Sequence, residues 1–210
     1  MVRIKICGLS RPEDIEYVNE ARPDYCGFII QVPASRRNVT AEQLCRLRER
    51  LSAQIRAVGV FVNADLALPE ALLKDGVIDI AQLHGQENER YVKQLREKTG
   101  KTVIKAFPVA AQGDLERAFS SCADMVLLDH GKGGTGETFD WAVLEKYRAG
   151  GKEPEKPFFL AGGLGPDNIS EAVRRCRPFG VDLSSAVETD GKKDREKIMA
   201  AVAAVRSIAI

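Results

Sequence analysis

Residues 2–10 (VRIKICGLS) and the segment that follows them decide how the whole chain folds. Residues 2–7 alternate between apolar and other side chains, which is the period of a β-strand. Residues 12–21 open with a proline and predict a helix, because proline is well tolerated in the first helical turn. The start of the chain is therefore one β-strand followed by one α-helix.

The same strand–helix unit recurs along the chain. The predicted strands are residues 2–7, 25–30, 56–62, 79–83, 102–107, 125–129, 158–161 and 181–184. The predicted helices are residues 12–21, 40–51, 68–75, 87–98, 114–121, 140–147, 167–176 and 192–205. Strict alternation predicts a parallel sheet, and eight units are the number that closes a (β/α)₈ barrel of the TIM type.

Residues 1–210 are expected to form this barrel as a single domain, because eight units leave little room for another. An open doubly wound sheet is the alternative fold. That fold usually carries a glycine-rich dinucleotide turn after its first strand, and residues 7–10 (CGLS) are not such a turn.

Composition excludes several classes of function. The chain has 31 Lys and Arg residues against 30 Asp and Glu, so no global field attracts nucleic acid or an anionic membrane. Its longest apolar stretches fall far short of the ~18 residues of a membrane span, and the N-terminus lacks a signal-peptide block. We expect a cytoplasmic protein without nucleic-acid or membrane partners.

Cysteine and histidine usage argues against disulfides and metal. The chain has five cysteines and two histidines. An odd cysteine count without a C-x-x-C spacing suggests neither a disulfide framework nor a zinc site. We therefore expect no metal site.

The faces of the first and last strands predict an ion pair. Lys5 and Cys7 share one face of residues 2–7, opposite the apolar face that should meet the helices. Asp182 and Ser184 share a face of the last strand. A buried cation needs a partner, and Asp182 is the plausible one for Lys5.

Polar residues at strand ends are the candidate site, because barrels of this type place their chemistry at the carboxyl ends of the strands. Cys7 ends the first strand and Asp129 the sixth, while Gln82 and His84 lie at the end of the fourth. Structural interpretations stay open: a small buried thiol for Cys7, a cap or turn for Asp129, and a structural histidine for His84.

The last two strand-to-helix turns suggest a phosphate site. Gly162 and Gly163 let the backbone approach a ligand closely, and Ser184 and Ser185 offer hydroxyl and N–H groups in the next turn. Ordinary turn chemistry is the alternative. Residues 131–136 only superficially resemble a nucleoside triphosphate loop, because glutamate follows where lysine is required.

Together these motifs resemble the phosphoribosylanthranilate isomerase family of tryptophan biosynthesis, in its stand-alone form. The matching stretches occur in family order and are KICGL (5–9), SRR (35–37), GVFVN (59–63), QLHG (82–85), LLD (127–129), GGTG (133–136), FDW (139–141), AGGL (161–164), VDLSS (181–185) and GKKD (191–194).

The resemblance implies a barrel enzyme that performs an Amadori rearrangement without cofactor or metal. The expected reaction converts N-(5-phosphoribosyl)anthranilate to 1-(2-carboxyphenylamino)-1-deoxyribulose 5-phosphate. Asp129 takes the family's position of general acid and Cys7 that of general base. The acid would work near neutrality if a water-poor site raised its pKa, and the base if nearby cations lowered its pKa.

The resemblance also implies binding residues. Arg37 is expected to hold the anthranilate carboxylate, with Arg36 as the alternative because the loop is shifted by one residue. Gln82 and His84 are expected to orient the substrate.

The turns with Gly162, Gly163, Ser184, Ser185 and Ala186 are expected to bind its phosphate. Ala186 stands where the family usually has glycine, so we expect a φ that is not positive and a methyl group turned away.

Two other functions stay open, namely another phosphosugar isomerase or epimerase on the same barrel, and a catalytically silent barrel that binds a phosphate ligand. The chain is expected to act as a monomer or a homodimer.

Overall fold

The computed structural model describes residues 1–130 and 140–208. Eight parallel barrel strands alternate with eight helices in this part of the chain, and a two-residue strand, Asn38–Val39, pairs in parallel with Ile29 and Ile30 at the edge of the sheet. The strands are β1 Arg3–Cys7, β2 Tyr25–Ile30, β3 Arg56–Phe61, β4 Ile80–Leu83, β5 Thr102–Pro108, β6 Met125–Asp129, β7 Phe158–Leu160 and β8 Gly180–Leu183. The helices are α1 Pro12–Ala21, α2 Ala41–Arg50, α3 Ala67–Lys74, α4 Glu89–Thr99, α5 Gln112–Ser120, α6 Trp141–Ala149, α7 Ile169–Cys176 and α8 Arg195–Arg206.

The strands close into a barrel because β1 pairs with both β2 and β8. Cys7 lies opposite Gly27 in the first pairing, and Lys5 lies opposite Asp182 in the second. Each of the other barrel strands pairs in parallel with its neighbours in chain order. The expected (β/α)₈ barrel is confirmed, and the open doubly wound sheet is wrong. The motif at 133–136 and Phe139 lie outside the described residues.

Two apolar layers follow from the strand period of two. Ile4 and Ile6 belong to the layer between the strands and the helices. Inside the barrel, a second cluster packs around Phe159, whose ring meets Tyr25 edge-to-face at 5.4 Å between centroids. Lys5 and Cys7 point into this interior from β1, as the alternation predicted.

The chain after β8 departs from the sequence prediction. Lys192–Lys193 pairs as an antiparallel strand with Glu188–Thr189, and α8 starts only at Arg195. Asp190 and Gly191 join the two short strands with φ values of 51° and 75°. An Asp-Gly pair at positive φ favours a two-residue hairpin turn, which is why the segment does not continue the helix.

A buried ion pair ties two turns of the barrel mouth together. The Lys105 ammonium lies 3.1 Å from a Glu87 carboxylate oxygen and donates to the Gly85 carbonyl at 2.7 Å. The same carboxylate accepts the backbone N–H groups of Asn63 and Gly85. The turns after β3 and β4 are therefore fixed to each other.

None of the described helices is long and apolar enough to cross a membrane.

Replacing Glu87 by alanine should destabilise the barrel strongly. The change strands a buried ammonium and two N–H groups, which costs about 3–5 kcal/mol. Urea unfolding should show a lower midpoint with an unchanged slope. The matched control is Glu97→Ala, which removes an exposed partner of Lys93 and should cost less than about 1 kcal/mol. Equal losses in the two variants would contradict this view of the Glu87 contacts.

Candidate active site

The barrel brings the predicted site residues to one end. The carboxyl ends of parallel strands meet at the same face, so residues at or just after the strand ends share it. These residues are Cys7, Gln82, His84, Asp129, Gly162, Gly163, Ser184, Ser185 and Ala186. Direct contacts divide them into a half around Cys7 and a half around Asp129.

Cys7 lies on a lysine. Its thiol lies beside the Lys5 ammonium, and the positive charges of Lys5 and Lys193 act on it electrostatically. A side chain on Gly27 would place a Cβ only 2.7 Å from the Cys7 sulfur and 3.1 Å from the Lys5 nitrogen. The glycine opposite Cys7 is therefore what leaves room for both groups.

The Cys7 thiol has a raised pKa. The two lysines do lower the pKa of Cys7, but burial raises it by more, so the pKa lies above its ordinary value. A buried thiolate loses its hydration, and two ammonium groups do not fully replace it. Cys7 therefore carries its proton near neutral pH.

Asp129 is embedded in a short polar chain. Its Oδ1 accepts the His130 N–H at 2.7 Å, and its Oδ2 lies 3.6 Å from His84 Nε2. His84 Nδ1 in turn lies 3.0 Å from the Gln82 amide nitrogen. His84 therefore links the Gln82 amide to the Asp129 carboxyl group.

The Asp129 carboxyl group has a lowered pKa. Burial alone would raise the pKa, but His84 and the His130 N–H outweigh it, so the pKa lies below its ordinary value. Groups that donate to a carboxylate favour its charged form. Asp129 is therefore ionised near neutral pH before substrate binds.

The turn after β7 depends on glycine beside Asp129. Gly162 has φ 81°, and a Cβ there would lie 2.8 Å from Asp129 Oδ1. Gly163 follows with φ 60°, and its carbonyl accepts the Asn168 amide at 2.9 Å. Positive φ and close approach both require glycine at 162.

The turn after β8 accommodates its alanine without strain. Ser185–Val187 forms one turn of 3₁₀-helix. The φ of Ala186 is not positive, as expected. Its methyl group faces Gly165, where a Cβ would lie 3.6 Å away. Ser184 binds this turn to β1, since its hydroxyl donates to the Cys7 carbonyl at 3.1 Å.

Arg37 lies beside Cys7, in an ion cluster. Its stem crosses Gly8, which has φ 83° and no space for a side chain. The Glu188 carboxylate accepts from Arg37 Nε at 2.6 Å, from Arg37 Nη2 at 2.9 Å and from Lys193 Nζ at 2.7 Å. Burial acts to raise the Glu188 pKa, but these cations outweigh it and lower the pKa to about 2.

Arg36 reaches the same carboxylate from outside. Its Nη2 lies 2.7 Å from Glu188 Oε2, but its side chain is 59% exposed against 12% for Arg37.

Sequence reasoning did not identify Glu188 and Lys193 as site residues. Both follow the recognised serine pair within ten residues, and Lys193 lies in the GKKD motif. The described residues contain no cluster of three or more His, Cys, Asp or Glu side chains suited to a metal ion.

The fold and the site define a (β/α)₈-barrel enzyme with a thiol and a carboxyl group at its mouth. The family model described as N-(5'-phosphoribosyl)anthranilate (PRA) isomerase matches residues 4–204. The chain belongs to this isomerase family. An N-(5'-phosphoribosyl)anthranilate isomerase from Endomicrobium trichonymphae is 43% identical over 99% of this chain and all of its own length.

Solved structures agree. The phosphoribosylanthranilate isomerase of Thermotoga maritima matches with a TM-score of 0.86 and 34% identity, over 98% of this chain and 99% of its own. A phosphoribosylanthranilate isomerase in complex with reduced 1-(o-carboxyphenylamino)-1-deoxyribulose 5-phosphate matches with a TM-score of 0.84 and 33% identity, over the same shares. The similarity covers the barrel from end to end.

Replacing Gly27 by alanine should impair catalysis. The added methyl group displaces the Cys7 thiol or the Lys5 ammonium, and displacement of a reacting group by a fraction of an ångström lowers the rate. We expect kcat to fall at least about tenfold, measured in a steady-state assay. Gly113→Ala is the control, because nothing lies within 4 Å of its added methyl group. Full activity in Gly27→Ala would show that the thiol position does not matter.

Proposed function

We propose that Cys7 and Asp129 are the base and the acid with which this family member isomerises N-(5-phosphoribosyl)anthranilate to 1-(2-carboxyphenylamino)-1-deoxyribulose 5-phosphate in tryptophan biosynthesis. One observation carries the proposal. A thiol beside a buried ammonium group and a carboxyl group beside a histidine lie at the same end of one barrel. An aldose–ketose isomerisation needs one proton donor and one proton acceptor on its substrate.

Asp129 opens the sugar ring. It donates a proton to the furanose oxygen, so that the ring opens and the anthranilate nitrogen forms an iminium at C1. The substrate carries a phosphate and a carboxylate, and their negative charges, together with the exclusion of water, raise the pKa of Asp129 when the substrate binds. Gln82 and His84 orient the carboxyl group and the substrate beside it.

Cys7 then removes the proton from C2. The C2–H bond breaks, its electron pair forms the C1=C2 bond of an enolamine, and the iminium nitrogen is neutralised. The positive iminium favours the thiolate over the neutral thiol, which offsets the effect of burial. The enolamine tautomerises to the ketone. Since the iminium makes the C2 proton acidic, a thiolate is a sufficient base.

The ends of the substrate are held on either side of this chemistry. Arg37 binds the anthranilate carboxylate through its planar guanidinium group, because it is the better-buried arginine and lies beside Cys7. The phosphate lies between the turns that carry Gly162 and Gly163 and those that carry Ser184, Ser185 and Ala186. The glycine turn lets its backbone come close to the phosphate, and the other turn offers N–H groups at the start of the 3₁₀-helix Ser185–Val187.

One barrel of residues 1–210 is proposed to perform the whole reaction without cofactor, in the cytoplasm, as a monomer or a homodimer. The direct test is a fluorescence assay with phosphoribosylanthranilate. Addition of the purified protein in the presence of a metal chelator should make the substrate fluorescence decay faster than its spontaneous rate. A decay unaffected by the protein would refute the proposed activity.

Replacing Cys7 by alanine should remove the base. We expect kcat to fall roughly 10²–10⁴-fold, the usual contribution of a general base, with little change in KM. Cys45→Ala is the matched control, since Cys45 is an exposed thiol on the far helix layer and should leave the rate unchanged. Near-normal kcat in Cys7→Ala would eliminate this residue as the base.

Replacing Arg37 by alanine should mainly weaken binding. Loss of a charge-assisted hydrogen bond to the anthranilate carboxylate predicts a rise in KM of about 10- to 100-fold. Arg37→Lys should restore it only in part, because an ammonium does not form the same fork. Arg36→Ala is the comparison and should raise KM less. A larger effect of Arg36→Ala would assign the carboxylate to that residue instead.

A further inference from the structure

Two buried charges below Cys7 take no part in the mechanism so far. Lys5 has a fully buried side chain and Asp182 one that is 8% exposed, and Lys5 Nζ lies 2.9 Å from Asp182 Oδ1. The same ammonium lies beside the Cys7 thiol, since a Cβ on Gly27 would come within 2.7 Å of the sulfur and 3.1 Å of the Lys5 nitrogen. The three side chains therefore form a continuous row with Lys5 in the middle.

Strand register fixes this row. Lys5 and Cys7 are two residues apart on β1 and face the same way, and Asp182 is the β8 residue directly opposite Lys5. Gly27 of β2 contributes no side chain on the other flank, so the thiol and the ammonium fill that space. The row is as well fixed as the barrel itself.

Charge conservation gives the row a chemical meaning. If Cys7 released its proton to water, the buried site would gain a negative charge, which burial opposes. If the proton moves within the row, the net charge of the three groups does not change. Lys5 can carry this transfer, because its ammonium donates to the Asp182 carboxylate at 2.9 Å and lies beside the Cys7 thiol. Once Lys5 has given a proton to Asp182, its nitrogen has a lone pair that can accept the proton from sulfur.

We propose that Lys5 and Asp182 form a proton relay that ionises Cys7 for the reaction; the inference rests on the proposed function. The S–H bond breaks and its electron pair stays on sulfur. Lys5 first releases one of its protons to Asp182, and the lone pair this leaves on its nitrogen takes the proton from sulfur. Lys5 and Asp182 act through Cys7, so they are positioning residues.

The relay returns to its starting state within one turnover. The thiolate takes the C2 proton and becomes a thiol again, and this thiol gives a proton to C1 as the enolamine becomes the ketone. Asp182 then returns its proton through Lys5 to the sulfur. The C2 hydroxyl proton leaves to the Asp129 carboxylate, which had given its own proton to the ring oxygen, so all protons balance.

Other charges act on the row from the neighbouring strands. Lys193 and Arg37 interact with Cys7, and His84 and Asp129 interact with Asp182. The competing explanation is that no proton moves along the row. The positive charge of Lys5 would then stabilise the Cys7 thiolate, and the negative charge of Asp182 would destabilise it. The two explanations predict opposite effects of removing the Asp182 charge.

The experiment uses Lys5→Met, Asp182→Asn and the double variant, with Arg3→Met as a control on the exposed end of the same strand. Steady-state assays give kcat and KM. Alkylation of the Cys7 peptide by iodoacetamide across pH, followed by mass spectrometry, reports the ionisation of this thiol without catalysis. Circular dichroism checks folding, and the double variant removes both charges so that neither is left unpaired.

The relay predicts that kcat falls at least about tenfold in all three variants while KM stays within about twofold. Cys7 alkylation should require a higher pH in Lys5→Met and in the double variant, and Arg3→Met should behave as wild type. Wild-type kcat in Asp182→Asn, or in the double variant if the single one does not fold, would overturn the relay. Activity in Cys7→Ala, by contrast, would overturn the proposed base itself.

Discussion

The buried ammonium of Lys5 is the constraint on which the barrel and its chemistry both depend. It lies inside the closed barrel, where an unpaired charge is not tolerated, and β8 offers it a carboxylate at one register only. A slip of one residue would place Lys5 opposite Val181 or Leu183, so that its charge would lie beside apolar side chains without a partner. The register that satisfies Lys5 also fixes Cys7 at the mouth of the barrel.

The active-site end is built as two electrostatically different halves. Around Cys7, the cations of Lys5, Arg37 and Lys193 exceed the negative charge of Glu188 and Asp182. Around Asp129, a histidine and a backbone N–H hold a carboxylate in its charged form. These surroundings favour a neutral thiol on Cys7 and a charged carboxylate on Asp129, whereas catalysis needs a thiolate and a protonated carboxyl group. We propose that the anionic ends of the substrate raise the pKa of Asp129, and that the iminium together with the relay of Lys5 and Asp182 ionises Cys7.

Sequence patterns predicted the features of the fold and the site that depend on local geometry. Alternation of strands and helices gave the barrel, and the period of two placed Lys5 and Cys7 on one face with Asp182 as partner. The negative or extended φ of Ala186 followed from the size of its side chain. These inferences depend only on local geometry and on the closing of eight units.

Features that depend on distant neighbours were not predictable in the same way. The hairpin after β8 was taken for the start of a helix, although the Asp190-Gly191 pair carried a turn signal. Glu188 lies just after the recognised serine pair, but its role as partner of Arg36 and Arg37 comes from the folding of separate loops. The pKa directions of Cys7 and Asp129 depend on the balance between burial and hydrogen bonding, which a sequence does not show.

The most direct test of the central claim is a crystal structure with the reduced product analogue that was used with the solved relative. The account predicts that Cys7 and Asp129 flank the sugar chain on opposite sides, with the Cys7 sulfur nearest C2. The phosphate should lie between the turns of Gly163 and Ser185, and the carboxylate should bind Arg37. A ligand bound with its phosphate elsewhere, or with C2 out of reach of Cys7, would contradict it.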